Sequence, residues 1–244
     1  MKAVLAKFAI CFGALVAIGL AADSARADGI VFAGPDPCFP AGVGRGCGPD
    51  RAPHVLSLQS QGSSSHEAAS VGRNANGDVK TGDWLRGSNT QTVSLTDIGF
   101  RNSASDIRIY FDISEPLGQS RAPVTLNSLV LTAYDSSGHS VFSASLLTVP
   151  ATFVMNGNGQ GHSDYVFALD AAAAARLQAA IAAHPDLRLG LAANITDAQG
   201  GPESFFIGVA PAAVPEPATM LLLGTGLAGA AAGIRRRRKT GQNR

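Results

Sequence analysis

The central part of the chain, residues 92–209, alternates between short hydrophobic runs and clusters of turn-forming residues. The clearest run is 107–113, in which every second residue is strongly hydrophobic. A period of two places these residues on one face of a strand, so the run predicts a strand with one buried face. Pro116 follows shortly afterwards. Because proline has no amide hydrogen for a sheet ladder, the strand should end before it.

Two adjacent hydrophobic runs predict a β-hairpin. Residues 126–134 and 141–147 flank the sequence Asp135-Ser136-Ser137-Gly138-His139. A glycine near the end of such a turn can take the left-handed conformation that this kind of hairpin loop requires. Further short strands are expected at 93–100, 151–155, 165–169, 187–195 and 204–209.

One segment has a helical pattern instead. Residues 171–183 are rich in alanine, and Asp170 stands before them as an N-cap residue. The helix should end at His184, because Pro185 disfavours a helical conformation in the residue before it. About eight strands with turn signals every ~8–12 residues, together with one helix, predict a mainly β fold. The expected architecture is a two-sheet β-sandwich of the jelly-roll or immunoglobulin-like type.

The region before residue 92 is more polar. Residues 28–53 are rich in Gly and Pro and are predicted to form a lead of loops ahead of a sandwich ectodomain at 54–213. The stretch 61–88 predicts loops or a short hairpin. It contains Trp84, the only tryptophan of the chain.

The N-terminus has the features of a secretory signal peptide over residues 1–27. Two lysines precede an almost uninterrupted apolar run at 8–22. Ala25 and Ala27 form an A-x-A site, so signal peptidase is expected to cut immediately before Asp28. The alternative is an uncleaved anchor, which is disfavoured because the run is shorter than the ~20 residues of a spanning helix.

The C-terminus, residues 214–244, has three parts in a fixed order. A Pro-Glu-Pro triplet is followed by an uncharged segment, 218–234, and then by a basic segment, 235–244. A helix of about 17 residues spans about 25 Å, the lower limit for crossing a bilayer core. Cations after such a helix favour the cytoplasmic side and hold it in the membrane. The residues of this motif are Pro215, Glu216, Pro217, Arg235, Arg236, Arg237 and Arg238.

Together the three parts resemble the PEP-CTERM sorting signal of Gram-negative bacteria. The resemblance implies that the tail enters the inner membrane transiently, where an exosortase, a membrane-embedded transpeptidase, recognises and removes it. The protein would then pass to the cell surface or an exopolysaccharide matrix. The alternative is a plain C-terminal membrane anchor. The 92–209 stretch also looks like an ectodomain that recurs with such tails, and this likeness implies no activity.

Removing both ends changes the charge. Residues 28–213 contain 16 acidic and ten basic residues, a net charge of about −6, although the whole chain has a net charge of +1. Phosphate binding requires a basic face, so this balance argues against a nucleic-acid partner.

Two cysteines, Cys38 and Cys47, remain after the signal peptide is removed. In an oxidising envelope they are expected to form a disulfide that closes the Gly- and Pro-rich loop between them. The alternative, a zinc site with His54, does not have a zinc-ligand spacing, so no metal site is predicted here.

No catalytic motif stands out between the two ends. Ser163 lacks the second glycine of a nucleophile elbow and is expected to be a turn serine. The histidines at 54, 66, 139, 162 and 184 have no metal-binding spacing. Paired carboxylates for glycoside cleavage would have to lie ~5–10 Å apart, which the sequence does not show. The candidates for such a pair are Asp97, Asp106, Asp112 and Glu115.

No cofactor is predicted. The alternative is calcium, since oxygen-rich stretches occur at 74–83 and 194–203. Neither stretch has the ligand spacing of an EF-hand loop, so ordinary turn chemistry is expected there.

Two hypotheses for function follow. The first is a non-enzymatic surface or matrix protein that binds extracellular polysaccharide, with Trp84 stacking on sugar rings together with Tyr110 or Tyr134. The alternative role for Trp84 is that of a core or edge aromatic residue. The second hypothesis is a hydrolase or lyase that acts on exopolysaccharide with Asp or Glu as acid and base. Sandwich domains host both kinds of function, so the fold does not decide between them.

Overall fold

A computed structural model of the chain describes residues 29–36, 52–60, 64–114, 123–155, 163–199 and 201–210. This part of the chain contains twelve β-strands, one α-helix and a short 3₁₀ helix at Ala104–Asp106. The strands are β1 (Ile30–Pro35), β2 (His54–Leu58), β3 (Glu67–Asn74), β4 (Gly77–Gly82), β5 (Val93–Ser94), β6 (Ile107–Asp112), β7 (Pro123–Tyr134), β8 (Ser140–Ser145), β9 (Ala151–Val154), β10 (Tyr165–Leu169), β11 (Arg188–Thr196) and β12 (Glu203–Val209), and the helix is α1 (Ala171–Ala183).

The strands form two antiparallel sheets. The first has five strands in the order β1-β10-β6-β12-β2, and the second has seven, in the order β4-β3-β11-β7-β8 with β5 beside β11 and β9 beside β7. The predicted mainly β sandwich with one helix is therefore confirmed. The finer jelly-roll or immunoglobulin-like type stays a prediction.

The core lies between the two sheets and is built largely from the alternating positions of the strands. Phe111 of β6 stacks on Phe205 of the neighbouring β12, with ring centroids 4.6 Å apart and planes only 8° from parallel. Both rings are fully buried. Phe153 of the opposite sheet meets Phe111 edge-on at 6.0 Å. Aromatic contacts of these kinds add to the stability that burial already gives.

The local signals in the central region are confirmed. Strands β7 and β8 form the predicted hairpin, and Gly138 in its turn has a positive φ of 81°. The side chain of Asp170 accepts a hydrogen bond from the amide of Ala173 at 2.8 Å, which makes it the N-cap of α1. The helix ends at Ala183 as predicted, with His184 as its C-cap.

Three predictions from sequence need correction. The lead at 28–53 was expected to be loops, but its residues Ile30–Pro35 form β1 and pair with β10, so the sandwich begins before residue 54. The hairpin alternative for the polar stretch 61–88 is present as β3 and β4, but these strands are longer than the short hairpin expected. The run 93–100 contains only the two residues of β5, because residues 95–99 form turns. In these cases, whether a segment forms a strand depends on whether it finds a pairing partner, and this tertiary context outweighs the local pattern of polar and apolar residues.

The edges of the two sheets are joined on both sides of the sandwich. On one side Ile30 forms a bridge with Leu146, and on the other side Leu58 at the end of β2 forms a bridge with Trp84, just after β4. Joined edges leave fewer unpaired backbone groups than an open sandwich would have. The second of these joints carries the candidate site.

Several predictions concern residues that the structure does not describe. They are the signal peptide with its cleavage site at Ala25, Ala27 and Asp28, the Cys38–Cys47 disulfide, Glu115, His162 and the whole tail 214–244. Within the described residues, no helix is both long enough and apolar enough to cross a bilayer.

Candidate functional site

A glycine turns the chain from β4 towards the other sheet. Gly82 has a φ of 73°, in the left-handed region that side chains rarely adopt, and a Cβ at this position would clash with the carbonyl oxygen of Ala68. Only glycine combines this conformation with so close an approach to β3. The residues that follow, 83–86, therefore leave the edge of the seven-stranded sheet in a fixed direction.

Segment 83–86 then runs beside β2 of the five-stranded sheet. The amide of Gln59 donates to the carbonyl of Asp83, and the amide of Leu85 donates to the carbonyl of Ser57, each at 2.9 Å. Trp84 lies between these two hydrogen bonds, opposite Leu58. Its ring is partly buried against the core and partly exposed. One backbone hydrogen bond on each side of Trp84 thus fixes the backbone from which the indole extends at the edge of the sheet.

Asp83 fastens the same segment to β3. Its carboxylate accepts a hydrogen bond from the amide of Ala68 at 3.1 Å, and its own amide donates to the carbonyl of Ala68 at 2.9 Å. The acidic side chain next to Trp84 is thus engaged in positioning the loop.

Two cations lie against the Trp84 ring. The Lys80 ammonium is 4.7 Å from the ring centroid, and the Arg86 guanidinium carbon is 5.8 Å from it. Lys80 pairs in register with the buried Val71, so its side chain points to the inner side of the edge strand β4, towards the indole. Arg86 is exposed. Both distances lie within the ~6 Å over which a cation is attracted to an aromatic face.

A cleft of about 530 Å³ opens beside this segment. Its volume lies within the ~300–1,000 Å³ that is usual for ligand pockets. Its lining is mostly polar and comes from two stretches of chain that lie on either side of it. The described residues that line it are Gln59, Ser60, Ser64, His66, Gly82, Asp83, Trp84, Leu85 and Arg86.

The two tyrosines that the sequence suggested as partners of Trp84 do not line the cleft. Tyr110 is 4% exposed, and its hydroxyl donates to the carbonyl of Val209 at 3.4 Å. The ring of Tyr134 lies instead over Gly72 and Gly190, where a Cβ would meet its atoms. Of the three predicted aromatic residues, Trp84 is the one that lines this cleft among the described residues.

Of the candidate carboxylates for an acid–base pair, Asp97, Asp106 and Asp112 are described, and the last two are far apart. Asp106 and Asp112 lie at opposite ends of β6, and a rise of ~3.3 Å per residue separates them by about 20 Å. Asp97 lies in an exposed turn, where the amide of Ser94 donates to it at 2.8 Å and where hydrogen bonds from Ser94 lower its pKa. A glycosidase pair would need ~5–10 Å.

A row of buried carboxylates at one end of the five-stranded sheet was missed from the sequence. Strand register places Asp36, Asp164 and Asp112 on neighbouring strands, and each is at most 3% exposed. The amide of Ile113 donates to Asp164 at 2.9 Å. A polysaccharide chain has no access to side chains buried to this degree. Each residue flanks or ends a hydrophobic run, but only long-range pairing puts them side by side.

Ser163 belongs to the same end of the sheet. It is 1% exposed, and its hydroxyl donates to the carboxylate of Asp36. A buried serine that precedes a strand and bonds a carboxylate is not arranged as an exposed nucleophile with a histidine base.

The oxygen-rich stretch 74–83 is occupied by hairpin chemistry. The Asn74 side chain accepts from the amide of Asn76 at 2.8 Å, and Asp78 accepts from the amide and hydroxyl of Thr92 at 2.9 and 2.6 Å. In the part of the chain that the structure describes, no three His, Cys, Asp or Glu side chains are grouped to hold a metal ion. The absence of a cofactor stays a prediction, with calcium as its alternative.

Comparison with known families adds the decisive observation about the tail. Residues 213–238 match the PEP-CTERM protein-sorting motif. The chain carries a PEP-CTERM sorting signal. The match includes the Pro-Glu-Pro triplet and the four arginines predicted from the sequence. No curated protein and no solved structure matches the chain.

A PEP-CTERM signal implies export, processing by an exosortase and association with the cell envelope or surface of a Gram-negative bacterium. The cleft beside Trp84 therefore belongs to a protein that works outside the cytoplasm.

Proposed function

We propose that this PEP-CTERM protein is a non-enzymatic, exosortase-processed surface protein that binds extracellular polysaccharide through the cleft beside Trp84. The signal peptide would be removed before Asp28, and the tail would be removed near Pro215. The sandwich would then remain in the exopolysaccharide matrix or biofilm as a binding or structural component. The observation that carries the proposal is a partly exposed tryptophan, fixed in a polar cleft, on an exported protein.

The chemistry of the cleft supports a sugar ligand. A pyranose ring has an apolar face of C–H groups that packs on an aromatic ring, and its hydroxyls need hydrogen-bonding partners at the edges. Trp84 supplies a rigid aromatic surface, and Ser60, Ser64 and His66 supply polar groups around it. Because backbone hydrogen bonds already hold the segment 83–85, binding would cost little ordering of the protein.

The cleft favours binding over hydrolysis. Among the described residues that line it, Asp83 is the one carboxylate, and it already accepts a hydrogen bond from Ala68. Glycoside cleavage by the usual route needs two carboxyl groups on either side of the scissile bond. The alternative of a polysaccharide hydrolase or lyase therefore has less support than a binding role.

The test is affinity electrophoresis, which measures how much the host's own exopolysaccharide, added to the gel, slows the migration of the exported protein. The protein is purified from the envelope of its host, and Trp84→Ala is compared with Phe32→Ala. Phe32 is an exposed aromatic residue, 48% accessible, that does not line the cleft. We expect the polysaccharide to retard the natural protein and the Phe32 variant, and Trp84→Ala to migrate as it does without polysaccharide.

Folding of each variant is checked by circular dichroism, and Trp84→Phe, which keeps an aromatic ring, should retain part of the binding. Equal retardation of all variants would show that the cleft is not the binding site. Release of reducing ends from the same polysaccharide, lost on substitution of a single Asp or Glu, would instead support the hydrolase alternative.

A further inference from the structure

We infer that the ligand of the Trp84 cleft is an acidic polysaccharide whose carboxylates are bound by Lys80 and Arg86. The inference rests on the proposed function and adds the chemical class of the ligand. It comes from the two cations that flank the indole, which a site for a neutral sugar would not require.

Two cations meet at one tryptophan of an acidic domain. Residues 28–213 have a net charge of about −6, yet Lys80 and Arg86 both lie over the Trp84 ring, where Asp83 is the one lining carboxylate among the described residues. A local cationic site on an acidic protein attracts anions to one place and repels them elsewhere. Such a distribution favours a specific anionic ligand over general adhesion to anionic surfaces.

Within the described ranges, the contacts of these two cations are confined to Trp84. Neither Lys80 nor Arg86 has a carboxylate within 4.0 Å in the part of the chain that the structure describes, and their contact is the Trp84 ring. Most other described cations have partners. Arg73 lies 3.7 Å from Asp78, Arg108 donates to the carbonyls of Ser105 and Ile107, Arg176 donates to the carbonyl of Ser143, and Arg188 donates to Thr92.

The geometry suits a carboxylate beside a stacked sugar. Both cationic groups lie over the same ring, within 5.8 Å of its centroid, so a sugar that contacts the exposed part of the indole would have its carboxylate within reach of one or both. A sugar that packs on a face now covered by a cation would displace that cation towards the edge of the ring. A guanidinium binds a carboxylate through two parallel hydrogen bonds, and an ammonium adds a compact charge.

The experiment uses three acidic polymers, namely alginate, polygalacturonate and hyaluronate, each with its carboxyl-reduced neutral form. Affinity electrophoresis and isothermal titration compare the exported protein with Lys80→Gln and Arg86→Gln. Lys80 is not a lining residue of the cleft but lies over the Trp84 ring. Arg101→Gln is the matched control, because Arg101 is exposed, does not line the cleft and is not one of the cations over that ring. Exposed Arg86 can be replaced without disturbing the core, so folding does not limit this test.

We expect at least one acidic polymer to bind and its reduced form to bind about tenfold or more weakly, as the loss of a charged hydrogen bond predicts. Arg86→Gln and Lys80→Gln should each weaken binding to a similar extent, and Arg101→Gln should not. A variant that carries both Lys80→Gln and Arg86→Gln tests the salt dependence. Raising the salt concentration from about 0.05 to about 0.5 M should weaken polymer binding by the natural protein more than polymer binding by this double variant.

Other outcomes overturn the inference. If the reduced polymers bind as well as the acidic ones, or if both cation variants bind normally, the ligand is not recognised by its carboxylates. If the host polysaccharide is retained through Trp84 but no acidic polymer binds, the acidic class is wrong and the proposed function stands. If neither the host polysaccharide nor any polymer binds, both proposals fail.

Discussion

The hydroxyl of Tyr165 makes two hydrogen bonds with the backbone of Val154. It donates to the Val154 carbonyl at 2.6 Å and accepts from the Val154 amide at 3.2 Å. Tyr165 belongs to β10 of the five-stranded sheet and Val154 to β9 of the seven-stranded sheet. Burial raises the pKa of Tyr165, so the hydroxyl stays protonated and able to donate at neutral pH. One side chain thus takes the place of a backbone bridge between the sheets.

Replacing Tyr165 by Phe should therefore destabilise the sandwich. The variant keeps the ring contact with Phe153 but removes both bonds to Val154. Because both bonds are exposed and water can replace them in part, the expected loss in the free energy of unfolding is about 0.5–1.5 kcal/mol, measured by urea denaturation. The control is Tyr134→Phe, on the ring that lies over Gly72. Equal free energies of unfolding for the two variants would mean that the Tyr165 hydrogen bonds make no net contribution to stability.

Gly82 should be much less tolerant of substitution than Gly87. Both have positive φ, 73° and 86°, but a Cβ on Gly82 would clash with Ala68, whereas a Cβ on Gly87 would meet open space. We expect Gly87→Ala to cost about 1–2 kcal/mol for its backbone conformation. Gly82→Ala should cost more and should also move the indole of Trp84.

Because Trp84 is the only tryptophan, its fluorescence reports on this loop directly. A shifted emission maximum in Gly82→Ala and an unchanged one in Gly87→Ala is the expected pattern. Identical spectra and identical stabilities in the two variants would contradict the close contact between Gly82 and β3.

His54 should make the domain less stable at mildly acidic pH. Burial lowers its pKa below the usual value near 6.5, and a smaller contribution from the backbone of Asn89 opposes this shift. The unfolded chain therefore takes up the proton more readily than the folded one, so stability is full above about pH 6.5 and falls as the pH drops below it. The free energy of unfolding is measured between about pH 7.5 and about pH 5.

The variant His54→Gln, which keeps a polar group beside Ser57, should lose this part of the pH dependence. The control is His66→Gln at an exposed position, which should retain it. A natural protein whose stability changes with pH no more than that of His54→Gln would show that His54 is not the responsible group.

The signal peptide and the PEP-CTERM signal each predict one cut in the protein recovered from its native envelope. Intact-mass spectrometry should find a chain that starts at Asp28 and ends near Pro215. Substituting Ala for Pro215, Glu216 and Pro217 should leave the arginine-rich end attached and keep the protein in the membrane fraction. A natural protein that still carries residues 235–244 would instead be a conventional anchored protein.

Local signals in the sequence determined much of the fold. Strict alternation at 107–113 predicted β6, Gly138 predicted the hairpin turn, and the Asp170 cap with Pro185 predicted both ends of the helix. The PEP-CTERM tail was also visible, because its parts lie in order along the chain. These features depend on residues that are neighbours in sequence, so short-range conformational preferences suffice to identify them.

Only the tertiary structure showed which distant segments of the chain lie in contact. Strand β1 forms within a Gly- and Pro-rich segment because it pairs with the edge of β10. Lys80 reaches Trp84 because it is paired in register with the buried Val71, which places its side chain on the inner face of β4. Sequence placed Trp84 in a polar loop, but its contact with β2 depends on a pairing between distant segments. Such pairings are set by how the whole core closes, and no local pattern encodes which edge a segment will meet.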